Sequence, residues 1–550
     1  VVLLAHNAFA GVGELNVKTI HAKKKRYFMR VFPFGCVVMV GFWLMGCDSK
    51  SIAQEFPKNP SSAIAQQDKT ALGVALMDDV AAHPGQTGFR LLTTGSESFA
   101  MRLALIEAAE KTLDLQYYSI HDDTTANLLM EGVLRAARRG VRIRFLLDNI
   151  NFKEVAETLS VLDGFRNVEI RIFNPFVTRH DGILTRAVRL VTDLGSINRR
   201  MHNKALIADN QMAITGGRNL GDEYFEENTD VTFRDIDILS AGPVTDKISQ
   251  SFDIYWNGKD SYPIGQLKKP AIDPKNVEKI RAKLQDHWDE VLATEKGKKL
   301  LRSPLAERLK DGDIKLIWAR AEFVVDTPQK IDKDRDEAES RPLMRLGDLL
   351  VNAKHEFVAV SPYFVPGDEG VEALGGLVKR GVKVKIVTNS LASTDVVAVH
   401  TGYRRYREAV VKNGVELYEM KPEGKRPRQR LLGKSAPASA RLHAKAYVID
   451  RSVLMVGSVN LDPRSLSLNT ELALVIHSPE LSAQVIRMFD EVTAPDSSYR
   501  IMLPENGAPG VVWRTTENKR QLDYTSEPKA GVWRNVEAGF IGLLPIEGQL

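Results

Sequence analysis

Apolar and polar positions follow two periods along this chain of 550 residues. Residues 103–109 repeat their apolar side chains at helical spacing, and Leu113-Asp114-Leu115-Gln116-Tyr117-Tyr118 alternates as a strand does. Residues 126–138 return to the helical period, and 141–147 read as a buried strand. Strand, helix and strand in that order predict a parallel pair joined by a crossover. The order recurs with helices over 346–353 and 371–379 and strands over 357–360 and 382–388. Arg139-Gly140-Val141 returns 241 residues later as Arg380-Gly381-Val382, so the pattern predicts two pseudo-symmetric α/β domains.

The remaining stretches break that pattern. Residues 48–85, rich in Ser, Ala, Gln, Asp and Pro, read as a tether, with order beginning near Phe89. Residues 86–262 and 314–495 hold the two domains, 263–313 form a charged, helical linker, and 496–550 are an extension. Over 183–194 an apolar stripe beside Arg186 and Arg189 fits a half-buried helix or an interfacial membrane helix. Residues 421–441 carry Lys421, Lys425, Arg426, Arg428, Arg430, Lys434 and Arg441 against Glu423 alone. Pro422, Pro427 and Pro437 interrupt them, so they form a solvated loop or a cationic rim for anionic head groups.

Composition narrows the chemistry. At 43% hydrophobic and 26% charged, the chain can bury more than one core. A formal charge of +5 favours an anionic partner without requiring nucleic acid. The two cysteines, Cys36 and Cys47, both lie near the N-terminus, so the domains have no disulfide, thiolate nucleophile or cysteine-bound metal. Residues 31–46 are an uncharged apolar run behind Lys23-Lys24-Lys25-Arg26 and Arg30, short for a spanning helix and suited to a signal-peptide core. Leu44-Met45-Gly46-Cys47 resembles a bacterial lipoprotein box, which implies acylation of Cys47 and, from Asp48, retention at the inner membrane facing the periplasm; an uncleaved anchor is the competing reading. Residues 1–28 lack an initiator Met and read as a misplaced start, with Met29 the true one.

The candidate chemistry sits in one doubled motif. His202-Asn203-Lys204, Asp209 and Gly216-Gly217-Arg218-Asn219 match His443-Ala444-Lys445, Asp450 and Gly457-Ser458-Val459-Asn460, each position displaced by 241 residues. A single His-x-Lys-x4-Asp would be weak evidence in a chain with 11 histidines; two complete copies at one offset are strong evidence. On a strand, residues i and i+2 share a face, so each His projects with its Lys. Asp209 and Asp450 fall at turns, and the glycines after the return strands would let backbone approach a ligand closely.

The doubled motif resembles the phospholipase D superfamily. The flanking words Asn198 to Lys204, Gly216 to Phe225, Asn460-Leu461-Asp462-Pro463-Arg464-Ser465 and Leu543-Leu544-Pro545-Ile546-Glu547 resemble the bacterial cardiolipin synthase C type. The resemblance implies two domains, each with a mixed, mostly parallel sheet flanked by helices, and an active site at their interface. It also implies metal-independent phosphatidyl transfer with no cofactor, through a phosphohistidine, making cardiolipin from phosphatidylglycerol and a second phospholipid such as phosphatidylethanolamine. A membrane surface is then the partner and nucleic acid is not, with hydrolytic phospholipase D or a phosphodiesterase nuclease as the alternatives.

Paired imidazoles suit this chemistry, because a free pKa of about 6.5 lets one be neutral while the other carries a proton. His202 is the expected nucleophile and His443 the expected acid, with Lys204, Lys445, Asn219, Asn460 and Ser458 on the phosphoryl oxygens. Asp209 and Asp450 complete the catalytic set, but their turns suit them to holding the motif more than to moving protons. The resemblance assigns Glu471 as the carboxylate that orients His443. Aligning Asp235-Ile236-Asp237-Ile238 onto Glu471-Leu472-Ala473-Leu474 gives Asp235 for His202, with Asp237 as the alternative. That offset is 236, which requires a five-residue insertion between Asn219 and Asp235.

Overall fold

The computed structural model describes residues 58–64, 69–150, 152–175, 198–227, 230–267, 274–300, 307–308, 311, 314–332, 339–422 and 439–542. Cys47 and the segment around it, the apolar stripe over 183–194, most of the basic segment and the word at 543–547 lie outside these residues.

Order begins earlier than the composition indicates. Helix α1 (Ala71–Ala82) occupies part of the expected tether, capped by the Thr70 side chain, which accepts from the Gly73 N–H. Leu72 and Leu76 are buried in the core, so a short apolar face overrides the polar average of the segment. Upstream, Lys58 Nζ donates to the carbonyls of Gly258 and Lys259, and the Ala63 N–H donates to Asp253.

The first half continues with β1 (Thr87–Leu92), α2 (Gly95–Ala108), β2 (Thr112–Tyr117), α3 (Thr124–Arg138), β3 (Arg142–Asp148), α4 (Phe152–Leu162) and β4 (Val168–Phe173). Thr94 and Asp123 cap α2 and α3, which starts both helices where the periodicity changes. The motif hairpin is β5 (Ala205–Ala208) and β6 (Met212–Gly216), followed by β7 (Val231–Arg234), β8 (Asp237–Ala241), α5 (Pro243–Asn257), β9 (Ser261–Pro263) and α6 (Pro274–Ala293). The second half runs β10 (Ile317–Val325), α7 (Arg341–Val351), β11 (Glu356–Val360), α8 (Gly367–Lys379), β12 (Lys383–Asn389), α9 (Val397–Arg404), β13 (Glu416–Met420) and β14 (Ser439–Leu442). Its hairpin is β15 (Ala446–Ile449) and β16 (Val453–Gly457), then β17 (Leu472–His477) and α10 (Pro479–Val492). The extension adds β18 (Ser498–Met502), β19 (Val512–Glu517), β20 (Arg520–Tyr524) and α11 (Val532–Ile541).

Both halves order their strands alike, as β4-β3-β2-β5-β6-β8-β1 and as β13-β12-β11-β15-β16-β17-β10. The crossover strands pair in parallel and the motif hairpins antiparallel, so the sheet is mixed as expected but not mostly parallel: each half has two parallel pairings and four antiparallel ones, because only the crossover strands run alike. β1 and β10 then pair antiparallel, Thr87 opposite Ala319, and join the halves into one sheet of 18 strands.

Helices cover both faces. α2 and α3 bury Phe99, Leu103, Leu129 and Leu134 in one core, and α7 and α8 bury Leu346, Leu350, Leu374 and Leu377 in another. On the opposite face, Phe252 and Trp256 of α5 and Val485 and Phe489 of α10 belong to one core shared with Ile207 and Val448 of the two motif strands. At about 1.5–3 kcal/mol for each fully buried large apolar side chain, that shared core holds both halves in one relative position.

Candidate active site

Each motif hairpin is fastened at its turn. Asp209 and Asn210 have φ of 50° and 51°, and Asp450 and Arg451 have 49° and 56°, left-handed conformations that Asp and Asn tolerate well. The Asp209 carboxylate accepts from the N–H groups of Glu110, Lys111 and Thr112 at 2.9, 2.7 and 2.9 Å. Asp450 accepts from Lys354, His355 and Glu356 at 2.9, 2.7 and 3.0 Å. These aspartates tie the turn to the start of the neighbouring strand, and a four-residue strand roughly 13 Å long at 3.3 Å per residue separates them from the His–Lys pair. They hold geometry and do not belong among the proton-transfer groups.

At the other end, His202 and His443 are buried, as are Lys204 and Lys445. Each lysine folds back on its own histidine: Lys204 Nζ donates to the His202 carbonyl at 2.7 Å, and Lys445 Nζ to the His443 carbonyl at 2.5 Å. The two pairs form one charged cluster. Lys445 acts electrostatically on His202 and Lys204, Asp235 acts on Lys204, and Glu471 acts on Lys445.

The carboxylates are exchanged relative to the sequence assignment. His202 Nδ1 faces Glu471 at 2.9 Å, and His443 Nδ1 faces Asp235 at 2.5 Å. Each carboxylate therefore comes from the other half. β7 leaves its own half and pairs in parallel with β14, Arg234 opposite Leu442, and the N–H groups of His443 and Ala444 both donate to the Arg234 carbonyl. The next residue, Asp235, arrives beside His443. Reciprocally, Met201 bridges Thr470 and the His202 N–H donates to the Thr470 carbonyl at 3.0 Å, which delivers Glu471 to His202. The segment from Asn219 to Asp235, where the insertion falls, is the one that crosses. The alternative, Asp237, is committed elsewhere, to Arg102 at 2.9 Å and Arg218 at 3.2 Å.

The glycines serve this exchange. A Cβ on Gly217 would overlap the Asp235 carboxylate, and one on Gly457 would overlap the Leu472 carbonyl. The close approach they permit is to the carboxylate-bearing strands, not to a ligand as the sequence reading had it.

Ser458 also has a different place from the one expected. Its Oγ donates to Glu471 at 2.5 Å and Ser465 Oγ donates at 2.8 Å, so with His202 three donors surround this carboxylate. Ser458 is thus a positioning group for Glu471. Asn219 Nδ2 donates to the Tyr224 hydroxyl at 3.0 Å, and the Tyr224 ring packs edge-on against His443 at 5.3 Å. The Asn460 N–H donates to Ser465 Oγ at 3.0 Å, on the His202 side. The buried Oδ1 atoms of Asn219 and Asn460 have no hydrogen-bond partner, leaving both amides with capacity for a ligand.

Several site residues escaped the sequence reading. Tyr118 stacks edge-on against His202 at 5.0 Å and lies 5.3 Å from Lys204 Nζ, while Phe233 packs 5.0 Å from His443. Tyr224 and Ser465 lie inside words singled out above, yet nothing in the words states which side chains they touch.

Burial governs the ionisation. It pulls the His202 imidazole down to about 4, with Glu471 opposing and Lys204 reinforcing the shift, and it lowers His443 with Lys445 acting the same way. It also brings Lys204 down to about 7 and lowers Lys445. Asp235 is held down at about 2 by His443 in spite of burial, and Glu471 is lowered by His202. The site therefore has neutral imidazoles, two carboxylates and two ammonium groups that tend to lose their protons. A monoanion entering it supplies the charge that re-protonates one base.

The fold and this site define a duplicated α/β enzyme of the phospholipase D class, with two His–Lys pairs in one charged cluster. The model for "Cardiolipin synthase, PLD-like domain" matches residues 103–256 and again 346–493. Cardiolipin synthase C of Escherichia coli (strain K12) is 36% identical over 481 residues, covering 86% of this chain and 99% of that protein. The chain belongs to the phospholipase D-like cardiolipin synthase family. Cardiolipin synthase A of Pseudomonas entomophila (strain L48) is 27% identical over 418 residues, 74% of this chain and 70% of that one. The crystal structure of phosphatidylserine synthase from Haemophilus influenzae Rd KW20 has the same fold, with a TM-score of 0.53 and 13% identity over 87% of this chain and all of that one.

Proposed function

We propose that this chain makes cardiolipin from phosphatidylglycerol and a second phospholipid, passing the phosphatidyl group of one to a head-group hydroxyl of phosphatidylglycerol. The supporting observation is the crossed pair of histidine–carboxylate contacts beside two buried lysines. Glu471 fixes the proton on His202 Nδ1 and leaves the Nε2 lone pair for phosphorus, while burial keeps that imidazole neutral. Asp235 lies closer to its histidine than Glu471 does to His202, and suits His443 to carry the proton that the incoming anion recruits.

In the first step His202 Nε2 bonds to phosphorus, the P–O bond to the donor's head-group alcohol breaks, and the His443 proton passes to the departing alkoxide. In the second, the acceptor hydroxyl gives its proton to His443, its oxygen bonds to phosphorus and the P–N bond breaks. Lys204 and Lys445 hold the non-bridging oxygens, where charge gathers in the transition state, and the unpartnered Oδ1 acceptors of Asn219 and Asn460 suit a substrate hydroxyl in place of the phosphoryl oxygens expected for them. Attachment to the bacterial inner membrane through acylated Cys47 fits the apolar run that ends at Leu44-Met45-Gly46-Cys47; Cys47→Ser should leave an unprocessed precursor or release the protein. Among the described residues, no helix is long and apolar enough to cross a membrane.

The deciding assay incubates the purified protein with labelled phosphatidylglycerol, with and without phosphatidylethanolamine, and resolves the lipids. Labelled cardiolipin is the expected product. Phosphatidic acid alone would replace transferase by hydrolase, and no lipid product would overturn both.

A further inference from the structure

The four most exposed large apolar side chains among the described residues lie on one helix. They are Trp533 (85% exposed), Val532 (79%), Phe540 (67%) and Val536 (56%), all on α11. At about 100° per residue, positions 532, 536, 540 and 533 fall within one arc of about 100°, so the four form a single stripe. The opposite side of the helix is fastened. Ala538 is fully buried against Leu391 and Val397. Arg534 donates to the carbonyls of Leu391, Ala392 and Thr394 at 2.7, 2.8 and 2.9 Å, and Arg405 donates to the Gly542 carbonyl at 2.9 Å. A helix held this firmly presents its stripe as a fixed surface.

The helix is fastened to a loop that reaches the active site. The loop that Arg534 grips carries Asp395, which accepts from the Tyr363 hydroxyl at 2.6 Å and acts electrostatically on His443 and Lys445. Arg441, just before His443, lies within electrostatic reach of Arg534. Cations therefore lie between the stripe and the site.

We infer that α11 docks the enzyme on a bilayer, its Trp533, Val532, Val536 and Phe540 entering the head-group boundary of an anionic membrane beside the site mouth. The inference rests on the phospholipid substrate proposed above. A stripe of Trp, Phe and Val on a helix whose other face carries Arg534, with Arg441 within its electrostatic reach, has the amphipathic make-up of an interfacial helix. A second copy fits less well. The stripe offers on the order of 500 Å², taking roughly 150–250 Å² per aromatic residue, against about 800 Å² per partner in a stable interface. A twofold contact would also bring Arg441 and Arg534 towards their own copies.

The test uses the full chain and the variant Trp533→Ser/Phe540→Ser. Vesicles of phosphatidylcholine and phosphatidylglycerol at seven to three, with brominated phosphatidylcholine, should quench Trp533, read as the difference between the natural chain and Trp533→Phe. The double variant should lose about tenfold or more of its turnover on such vesicles. On monomeric dihexanoyl phosphatidylglycerol it should keep the full rate, since the catalytic groups are untouched. Absence of turnover by the natural chain on both substrates would overturn the proposed reaction, and the quenching would still decide the docking. Three results would overturn the docking itself: Trp533 unquenched by the vesicles, equal loss of turnover on both substrates, or a dimer of the lipid-free protein that Trp533→Ser dissociates.

Discussion

The two halves share their strand order and their motif, but the grooves between their outer helices have opposite fates. In the first half, α6 lays Leu284, Trp288 and Val291 against the core under α2 and α3, and the Arg135 guanidinium stacks 4.4 Å from the Trp288 ring. In the second half the groove between α7 and α8 stays open as a cavity of about 380 Å³, lined by Leu343, Leu346, Leu350, Leu374 and Leu377. In the register set by Arg139-Gly140-Val141 and Arg380-Gly381-Val382, Gly132 answers to Ala373 and Arg135 to Gly376. Duplication copied the strands and the site, whereas the covering helix belongs to the single linker and could serve only one half.

The largest effect expected separates the two site histidines. His202→Ala and His443→Ala should each lower turnover by about 10⁴-fold or more. With a substrate bearing a good leaving group, His443→Ala should still accumulate labelled phosphohistidine, because protonation is then unnecessary, and His202→Ala should not. Label trapped only in the His202 variant would reverse the roles.

Next comes the covered groove. Trp288→Ala should cost about 3–5 kcal/mol in a urea titration, since it empties a filled core, whereas Ala373→Leu in the open groove should cost less than about 1 kcal/mol. Equal costs would mean that α6 contributes little to the first half.

The crossed carboxylates come third. Glu471→Gln and Asp235→Asn should each reduce turnover by roughly 100-fold, and in proton spectra Glu471→Gln should displace the His202 Nδ1–H resonance and not that of His443. The reverse pattern would restore pairing within each half.

The buried lysine gives a pH signature. The Lys204 pKa of about 7 lies below its ordinary value of 10.5, so between those values the unfolded chain binds more protons. Stability from this group therefore rises with pH across that window and falls again as pH drops toward 7. Lys204→Met should flatten the slope of melting temperature against pH and abolish turnover; an unchanged slope would place Lys204 in water.

The smallest effect is at the glycines of the matched helices. A Cβ at Gly376 meets nothing within 4 Å, so Gly376→Ala should add about 0.5–1 kcal/mol through helix propensity. At Gly132 it would meet Ile106 at 3.3 Å and Leu103 at 3.5 Å, so Gly132→Ala should gain nothing or destabilise.

Taken alone, the sequence determined the duplication, the strand–helix–strand order and the two hairpins that follow the His–Lys pairs. Each of these is written in local periodicity or in a constant spacing, and the hairpin turns at Asp209 and Asp450 follow from their immediate neighbours. It misread residues 71–82, where average composition concealed the two leucines that dock α1. Only the tertiary structure decided that Glu471 serves His202 and Asp235 serves His443. That choice depends on β7 pairing with β14 and on Met201 meeting Thr470, contacts between segments more than 200 residues apart. A side chain's own neighbours fix the face of the strand it occupies. Which partner meets that face is set by how two distant strands align across the shared core, a register that no local pattern encodes.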